Sequence, residues 1–142
     1  MTNKYFSRMD IRDIDGLDGY EFEEFLYNLF RSLNISVVKT QKSRDYGADL
    51  ILKFKNHTVV IQSKLYFNRT VGNSAVQEIN TAKSYYNADI AVVITNSYFS
   101  KPAQNLAGST NIKLIDRNKL QEFISSTKSH KRDIINDWQT NC

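Results

Sequence analysis

Ala48-Asp49-Leu50-Ile51-Leu52-Lys53-Phe54-Lys55-Asn56-His57-Thr58-Val59-Val60-Ile61-Gln62-Ser63-Lys64 is the stretch whose pattern decides the fold. Two apolar runs, Ala48 to Phe54 and Thr58 to Tyr66, are joined through Lys55, Asn56 and His57, and together read as a β-hairpin. Side chains alternate faces along a strand, so Gln62 and Lys64 share one side and Ser63 takes the other. A two-residue turn at Asn56-His57 puts Asp49 directly across from Lys64 and Ile51 across from Gln62, with facing Cβ atoms about 4.5 to 5.5 Å apart. A loop longer by two residues keeps this shared face, whereas one longer by a single residue destroys it. The spacing therefore lets a carboxylate, an amide and an ammonium meet on one patch.

Working outward, Gly19 to Leu33 carries Phe22, Phe25, Leu26, Leu29, Phe30 and Leu33 at the spacing of one buried helical stripe. Asp18 and Glu21 stand where a capping box would start that helix. Ile35 to Thr40 is a short β-branched strand, followed by a polar, basic turn from Gln41 to Asp45. Beyond the hairpin, Asn73 to Tyr86 reads as a second helix, with Val76, Ile79, Ala82 and Tyr86 on one side. Ile90 to Thr95 is apolar enough for a strand buried on both faces. Pro102 to Leu106 reads as a short helix, Ile112 to Ile115 as a strand, and Asn118 to Ile124 as a final helix. The order αβββαβ followed by αβα fits an α/β fold, a three-layer αβα sandwich around a mixed central sheet.

The chain has 142 residues, and 41% of them are apolar, which is enough for one compact domain and excludes disorder as a description of the whole. Cys142 is the single cysteine, so a disulfide framework and a thiolate metal cluster are excluded, and a reducing setting is the expectation. The longest apolar run, Ile90 to Ile94, falls far short of a membrane span. Lys4, Arg8, Asp10, Arg12 and Asp13 leave no apolar stretch for a signal peptide, so a cytoplasmic, non-membrane protein is expected. Net charge is +4 but uneven: residues 1–24 carry −4, residues 25–71 carry +6 and residues 72–142 carry +2. A basic middle segment with two carboxylates suits phosphate as well as it suits plain solvation.

The hairpin patch has a chemical use. A carboxylate and an amide oxygen are hard ligands suited to Mg²⁺, and a lysine beside them can orient water or stabilise charge on a phosphate. Gln62 and Lys64 follow the apolar run Val59-Val60-Ile61, where polar groups cost energy unless they are paired or functional. A second carboxylate would raise the charge of the site, and the first helix offers one. At 100° per residue Glu23 borders the apolar stripe while Glu24 points into solvent, and Glu21 is the other acid in reach.

These residues resemble the Mrr-type restriction endonucleases, the Q-x-K branch of the PD-(D/E)XK nuclease superfamily. The resemblance is carried by Gly19-Tyr20-Glu21-Phe22-Glu23, Asp45-Tyr46-Gly47-Ala48-Asp49 and Val59-Val60-Ile61-Gln62-Ser63-Lys64. It continues through Val71-Gly72, Ala91-Val92-Val93-Ile94-Thr95-Asn96-Ser97-Tyr98-Phe99-Ser100 and Ile115-Asp116. It implies a restriction-endonuclease-like αβββαβ core and a Mg²⁺-dependent endonuclease, with Mn²⁺ as the alternative ion, acting on DNA phosphodiesters in restriction of foreign or modified DNA. It also implies catalytic roles for Glu23, Asp49, Gln62 and Lys64, with Asp49, Gln62 and Glu23 on the metal. Residues 16–126 then form the catalytic domain, 1–15 an N-terminal extension and 127–142 a polar tail.

Lys39, Lys42, Arg44 and Arg69 flank this set and are candidates to hold DNA backbone, ordinary surface charge being the other reading. Tyr46, Tyr66 and Phe67 read as packing residues that a sugar or base could also meet. His57 and His130 have no ligand spacing and read as surface residues. Family members of this kind join such a domain to a recognition domain, which 142 residues do not accommodate. A homodimer or higher homo-oligomer and a separate recognition protein are accordingly the partners left open besides DNA. The alternatives are a Holliday-junction resolvase-like nuclease and a catalytically silent nucleic-acid-binding module. A nucleotide-binding α/β domain is disfavoured, because no Gly-rich phosphate loop follows a strand.

Overall fold

The computed structural model describes residues 9–41, 46–128 and 138, the side chains of 126–128 excepted. In chain order the elements are α1 (Ile11–Asp15), α2 (Gly19–Ser32), β1 (Ser36–Lys39), β2 (Leu50–Lys53) and β3 (Thr58–Lys64). There follow α3 (Asn73–Tyr85), β4 (Ile90–Thr95), α4 (Lys101–Thr110), β5 (Lys113–Ile115) and α5 (Arg117–Lys128). The five strands form one sheet in the order β1-β2-β3-β4-β5. The first two pairings are antiparallel and the last two parallel, so the sheet is mixed.

Alternation along the inner strands builds two cores. Leu50, Leu52, Val59, Ile61, Val92 and Ile94 face one way and meet Phe22, Leu26, Leu29 and Phe30 of α2, with Phe123 of α5. Ile51, Val60, Ala91 and Val93 face the other way and meet α3 and α4 through Ala75, Val76, Ile79 and Ala103. Every residue of β4 is buried, as a strand covered on both faces requires. The result is the αβα sandwich expected from the pattern.

The hairpin turn sits one residue earlier than the sequence suggested. Leu50 faces Ile61 and Lys53 faces Thr58, and the Phe54 N–H donates to the His57 carbonyl at 3.0 Å, leaving Lys55-Asn56 as the turn. The Phe54 and His57 rings stack at 4.9 Å, which makes them a facing pair and puts the exposed Lys55 and Asn56 at the tip. His57 is therefore half-buried rather than a plain surface residue. Ile51 faces Val60 instead of Gln62. The paired register ends at Leu50, and the Asp49 N–H donates to the Ile61 carbonyl at 2.7 Å, so Asp49 does not face Lys64. The paired residues of the hairpin are thus shifted by two from the register expected, which leaves Gln62 and Lys64 on one face.

At the helix ends, Asp18 accepts from the Glu21 N–H at 2.7 Å while Glu21 accepts from the Asp18 N–H at 2.9 Å, so the capping box is formed. Glu24 is half-buried and ion-paired with Lys39 instead of pointing freely into solvent. Ser100 caps α4 and Asn111 ends it with a left-handed φ of 59°, which extends this helix beyond the Pro102–Leu106 segment expected.

Both ends of the chain contribute more than the sequence suggested. Ile11 and Ile14 of α1 are buried in the α2-side core, so residues 9–15 are part of the domain. Trp138, within the stretch read as a polar tail, is 2% exposed with its ring 6.0 Å from Phe30. An indole buries more apolar area than its polar neighbours can oppose. His130, like most of 129–142, lies outside the described residues. Among the described residues no helix is long and apolar enough to cross a membrane.

Asp15 ties α1 to the far end of the domain. Arg117 donates to both its oxygens at 2.8 and 2.9 Å, and Asn96 Nδ2 donates to Oδ1 at 3.0 Å. The Arg117 hydrogen bonds, with a smaller part from Asn96, outweigh partial burial and hold the Asp15 carboxyl below its usual range. A depressed carboxyl stabilises the fold above its unfolded pKa, and that stability fades as pH falls through the folded value. Arg117→Ala is thus expected to lower stability by about 1 kcal/mol at pH 7, screening being appreciable for a partly exposed pair. The difference from the parent should shrink below about pH 4. Urea melts at pH 7 and at pH 3.5 check this, and a difference that stays constant would contradict it.

Candidate active site

Asp49, Gln62 and Lys64 come together. With Gly47, Ser63 and Glu78 they line a cleft of about 400 Å³ where β3 runs out beside α3. A larger cavity of about 670 Å³, near Tyr98, Gln104 and Asp116, holds none of these groups. Volume alone does not locate the chemistry.

Asp49 sits at the head of β2. Its Oδ2 accepts from the Ser63 N–H at 2.8 Å and the Ser63 hydroxyl at 3.1 Å, which fixes the carboxylate against β3. Ser63 belongs to the other face by alternation, yet both its backbone N–H and its hydroxyl reach this carboxylate. Gln62 is 5% exposed, and its Nε2 donates to Glu78 Oε1 at 2.7 Å. The Gln62 Oε1 is buried without a hydrogen-bond partner among the described residues. Lys64 is one-quarter exposed, with Nζ 3.3 Å from the same Glu78 oxygen. A fixed carboxylate, a buried amide oxygen lacking a donor and a nearby ammonium match the hard-oxygen preference of Mg²⁺ or Mn²⁺. Among the described residues no three His, Cys, Asp or Glu side chains converge. The oxygen-bearing side chains of the cleft are thus two carboxylates, Asp49 and Glu78, with the Gln62 amide and the Ser63 hydroxyl.

Glu23 does not line this cleft; it is 4% exposed on α2, the helix that covers the opposite face of the sheet. Glu21 is committed to the capping box. Lys39 lies on the edge strand β1, paired with Glu24 and 4.7 Å from the Tyr27 ring centre. Lys42 and Arg44 lie outside the described residues. Arg69 is exposed, with its guanidinium 3.9 Å over the Tyr66 ring, and lines a second cleft of about 410 Å³ with Phe67, Asn96 and Tyr98. Tyr46 stacks on Tyr85 at 3.8 Å, whose hydroxyl pKa is raised chiefly by its hydrogen bond with Tyr46. Phe67 is 82% exposed and packs on little.

Sequence reasoning missed Glu78. Its signal was there: it is the one carboxylate between Asp49 and Asp89, on a helix entered directly after the hairpin. Gly47 explains how it gets there. This residue has φ +95°, and a Cβ on it would fall 2.4 Å from the Glu78 carbonyl oxygen. The turn carrying Asp49 thus rests directly on the backbone of α3 at Glu78.

Over residues 14–124 the chain matches the family model Mrr_cat, described as restriction endonuclease. Three solved structures share the fold. A protein of unknown function, AF1548, is 15% identical with a TM-score of 0.64, over 78% of this chain and 66% of that one. The DNA modification-dependent restriction endonuclease AspBHI is 18% identical with a TM-score of 0.64, over 96% of this chain and 38% of that one. The MspJI restriction endonuclease, in complex with a 27-mer oligonucleotide, is 16% identical with a TM-score of 0.55, over 99% and 35%. The chain thus spans from about a third to two thirds of the length of these structures. No curated protein matches it.

Gly47→Ala places a side chain in a left-handed conformation and against backbone, and is expected to lower stability by about 2 kcal/mol or more. Gly108→Ala, in α4 with open space around the new methyl, should instead raise stability by about 0.5 to 1 kcal/mol. Chemical denaturation of the two variants beside the parent checks both signs, and an equal effect at the two positions would contradict the close approach.

Proposed function

This chain belongs to the Mrr_cat restriction endonuclease family, and on that premise we propose that it is a divalent-metal-dependent DNA endonuclease hydrolysing phosphodiester bonds. The observation that carries the reading is the cleft itself, which Asp49, Gln62 and Lys64 line together, with Gln62 Oε1 buried beneath it and unpartnered among the described residues. Asp49 and Gln62 are the proposed ligands of Mg²⁺, or of Mn²⁺ in its place. The bound ion would supply Lewis-acid stabilisation of charge on the scissile phosphate.

The protein groups divide the remaining work. Ser63 holds the Asp49 carboxylate in one orientation through two hydrogen bonds, so little rearrangement is needed when a cation arrives. Lys64, as an ammonium, orients the attacking water by donating to its oxygen and favours the phosphate by its charge, while the proton the water loses passes to solvent. Water oxygen bonds to phosphorus, the bond from phosphorus to one sugar oxygen breaks, and that oxygen takes up a proton. Glu23, standing outside the cleft, is given no ligand role. Arg69, one exposed loop beyond Lys64, is the described cation best placed to meet the DNA backbone. Restriction of foreign or modified DNA is the proposed setting.

The test is cleavage of supercoiled plasmid, unmodified and methylated, with and without Mg²⁺. The parent protein should nick or linearise DNA in Mg²⁺ and lose this in EDTA. Asp49→Ala and Lys64→Ala should each fall by about a hundredfold or more, the usual scale for removing an electrostatic or acid-base group. Equal cutting by the parent and both variants, or no cutting of any substrate by the parent, would overturn the reading.

A further inference from the structure

Beside Asp49 the cleft holds a second carboxylate, that of Glu78 on α3. Gln62 is neutral, so an ion held by Asp49 and Gln62 alone would face a single negative charge. Glu78 also decides which end of the Gln62 amide faces it and which is turned away. An ionised carboxylate only accepts hydrogen bonds, so the amide must offer Nε2 to it, as it does at 2.7 Å. The carbonyl end, Oε1, is thereby turned away from Glu78 and left buried without a donor, in a residue 5% exposed. A buried acceptor in that condition works against folding, and a cation would relieve it.

The backbone contact at Gly47 makes this arrangement rigid. It fastens the turn that bears Asp49 to α3 at the residue bearing the second carboxylate. Glu78 also lies 3.3 Å from Lys64 Nζ, so a single side chain touches both Gln62 and Lys64. The acid expected on α2, Glu23, does not line the cleft.

We propose that Glu78 supplies the second carboxylate of the divalent-cation site and presents the Gln62 carbonyl to the ion. The inference deepens the endonuclease reading and rests on it for what the ion does once bound. Glu78 thereby gives a neutral glutamine the setting of a ligand, with the charge coming from the neighbouring helix.

The experiment is calorimetric titration of Mn²⁺ into the parent, Glu78→Gln, the exchanged pair Gln62→Glu with Glu78→Gln, and Asp49→Ala, folding being verified by circular dichroism. Glu78→Gln should weaken Mn²⁺ by about tenfold or more, as for loss of one charged group at a metal site. The exchanged pair, with its carboxylate moved onto β3, should return to within about threefold of the parent. Parent affinity in Glu78→Gln, or an exchanged pair as weak as Glu78→Gln, would overturn the proposal. The parent protein gives a readout that needs no variant. Mn²⁺ should broaden the backbone amide resonance of Glu78 together with those of Asp49 and Ser63, and broadening that spares Glu78 would overturn the proposal too. Loss of Mn²⁺ binding and plasmid cleavage in Asp49→Ala, with both kept in Glu78→Gln, leaves the endonuclease reading standing and removes Glu78. Tenfold weaker Mn²⁺ in Glu78→Gln, with plasmid uncut by the parent, does the reverse.

Discussion

A buried amide oxygen with no donor among the described residues, Oε1 of Gln62, is the constraint around which the end of the sheet is arranged. Burying such an acceptor works against folding, and a fully apolar residue would be more stable there. The surroundings nonetheless hold it in place. Strand alternation turns it toward α3, Glu78 accepts from its amide nitrogen, and Asp49 lines the same cleft from the head of β2. Local instability of this kind, held by its surroundings, is the feature on which the proposed cation site rests.

The cleft is joined to the rest of the domain by polar contacts as well as by the cores. Asn96, 4% exposed at the end of β4, exchanges hydrogen bonds with the Tyr66 backbone at 2.9 and 3.0 Å, two residues beyond Lys64. The same amide nitrogen reaches Asp15 on α1, and Arg117 on α5 closes the set. Ser97 adds a bond to the Arg69 carbonyl at 2.6 Å. The segment leaving the site is thus held from β4, and the exposed Phe67 and Arg69 project from a loop whose base is fixed. Hydrogen bonds shared through one side chain reinforce each other, so the end of β3 is stiffened where Lys64 sits.

How much of this could be read in advance depended on whether local periodicity or tertiary contact decided the matter. The α2 stripe, its Asp18–Glu21 cap and the doubly buried β4 follow from spacing alone, and each stands within two residues of where the sequence placed it. That Gln62 and Lys64 share a face was legible because alternation is insensitive to a register shift of two, whereas Asp49 joins them in the cleft from outside the paired register. The turn position was not, since stacking of Phe54 on His57 is a cross-strand event that two polar tip residues do not announce. Trp138 and α1 were misjudged as an end and an extension because short segments with mixed polarity carry no clear period of their own. Glu78 was missed for another reason. It reaches the cleft through the crossover helix, whose seating against the hairpin is a tertiary matter of core packing and of the close approach at Gly47. A glycine in the Asp45-to-Asp49 turn signals close approach without naming what approaches.

Diffraction from Mn²⁺-soaked crystals at a wavelength where manganese scatters anomalously tests the central claim most directly. The account predicts an anomalous peak in the cleft, within about 2.3 Å of an Asp49 carboxylate oxygen and of Gln62 Oε1. A cleft without a peak at saturating Mn²⁺, or manganese bound elsewhere while Gln62 Oε1 takes a donor from the protein, would contradict it.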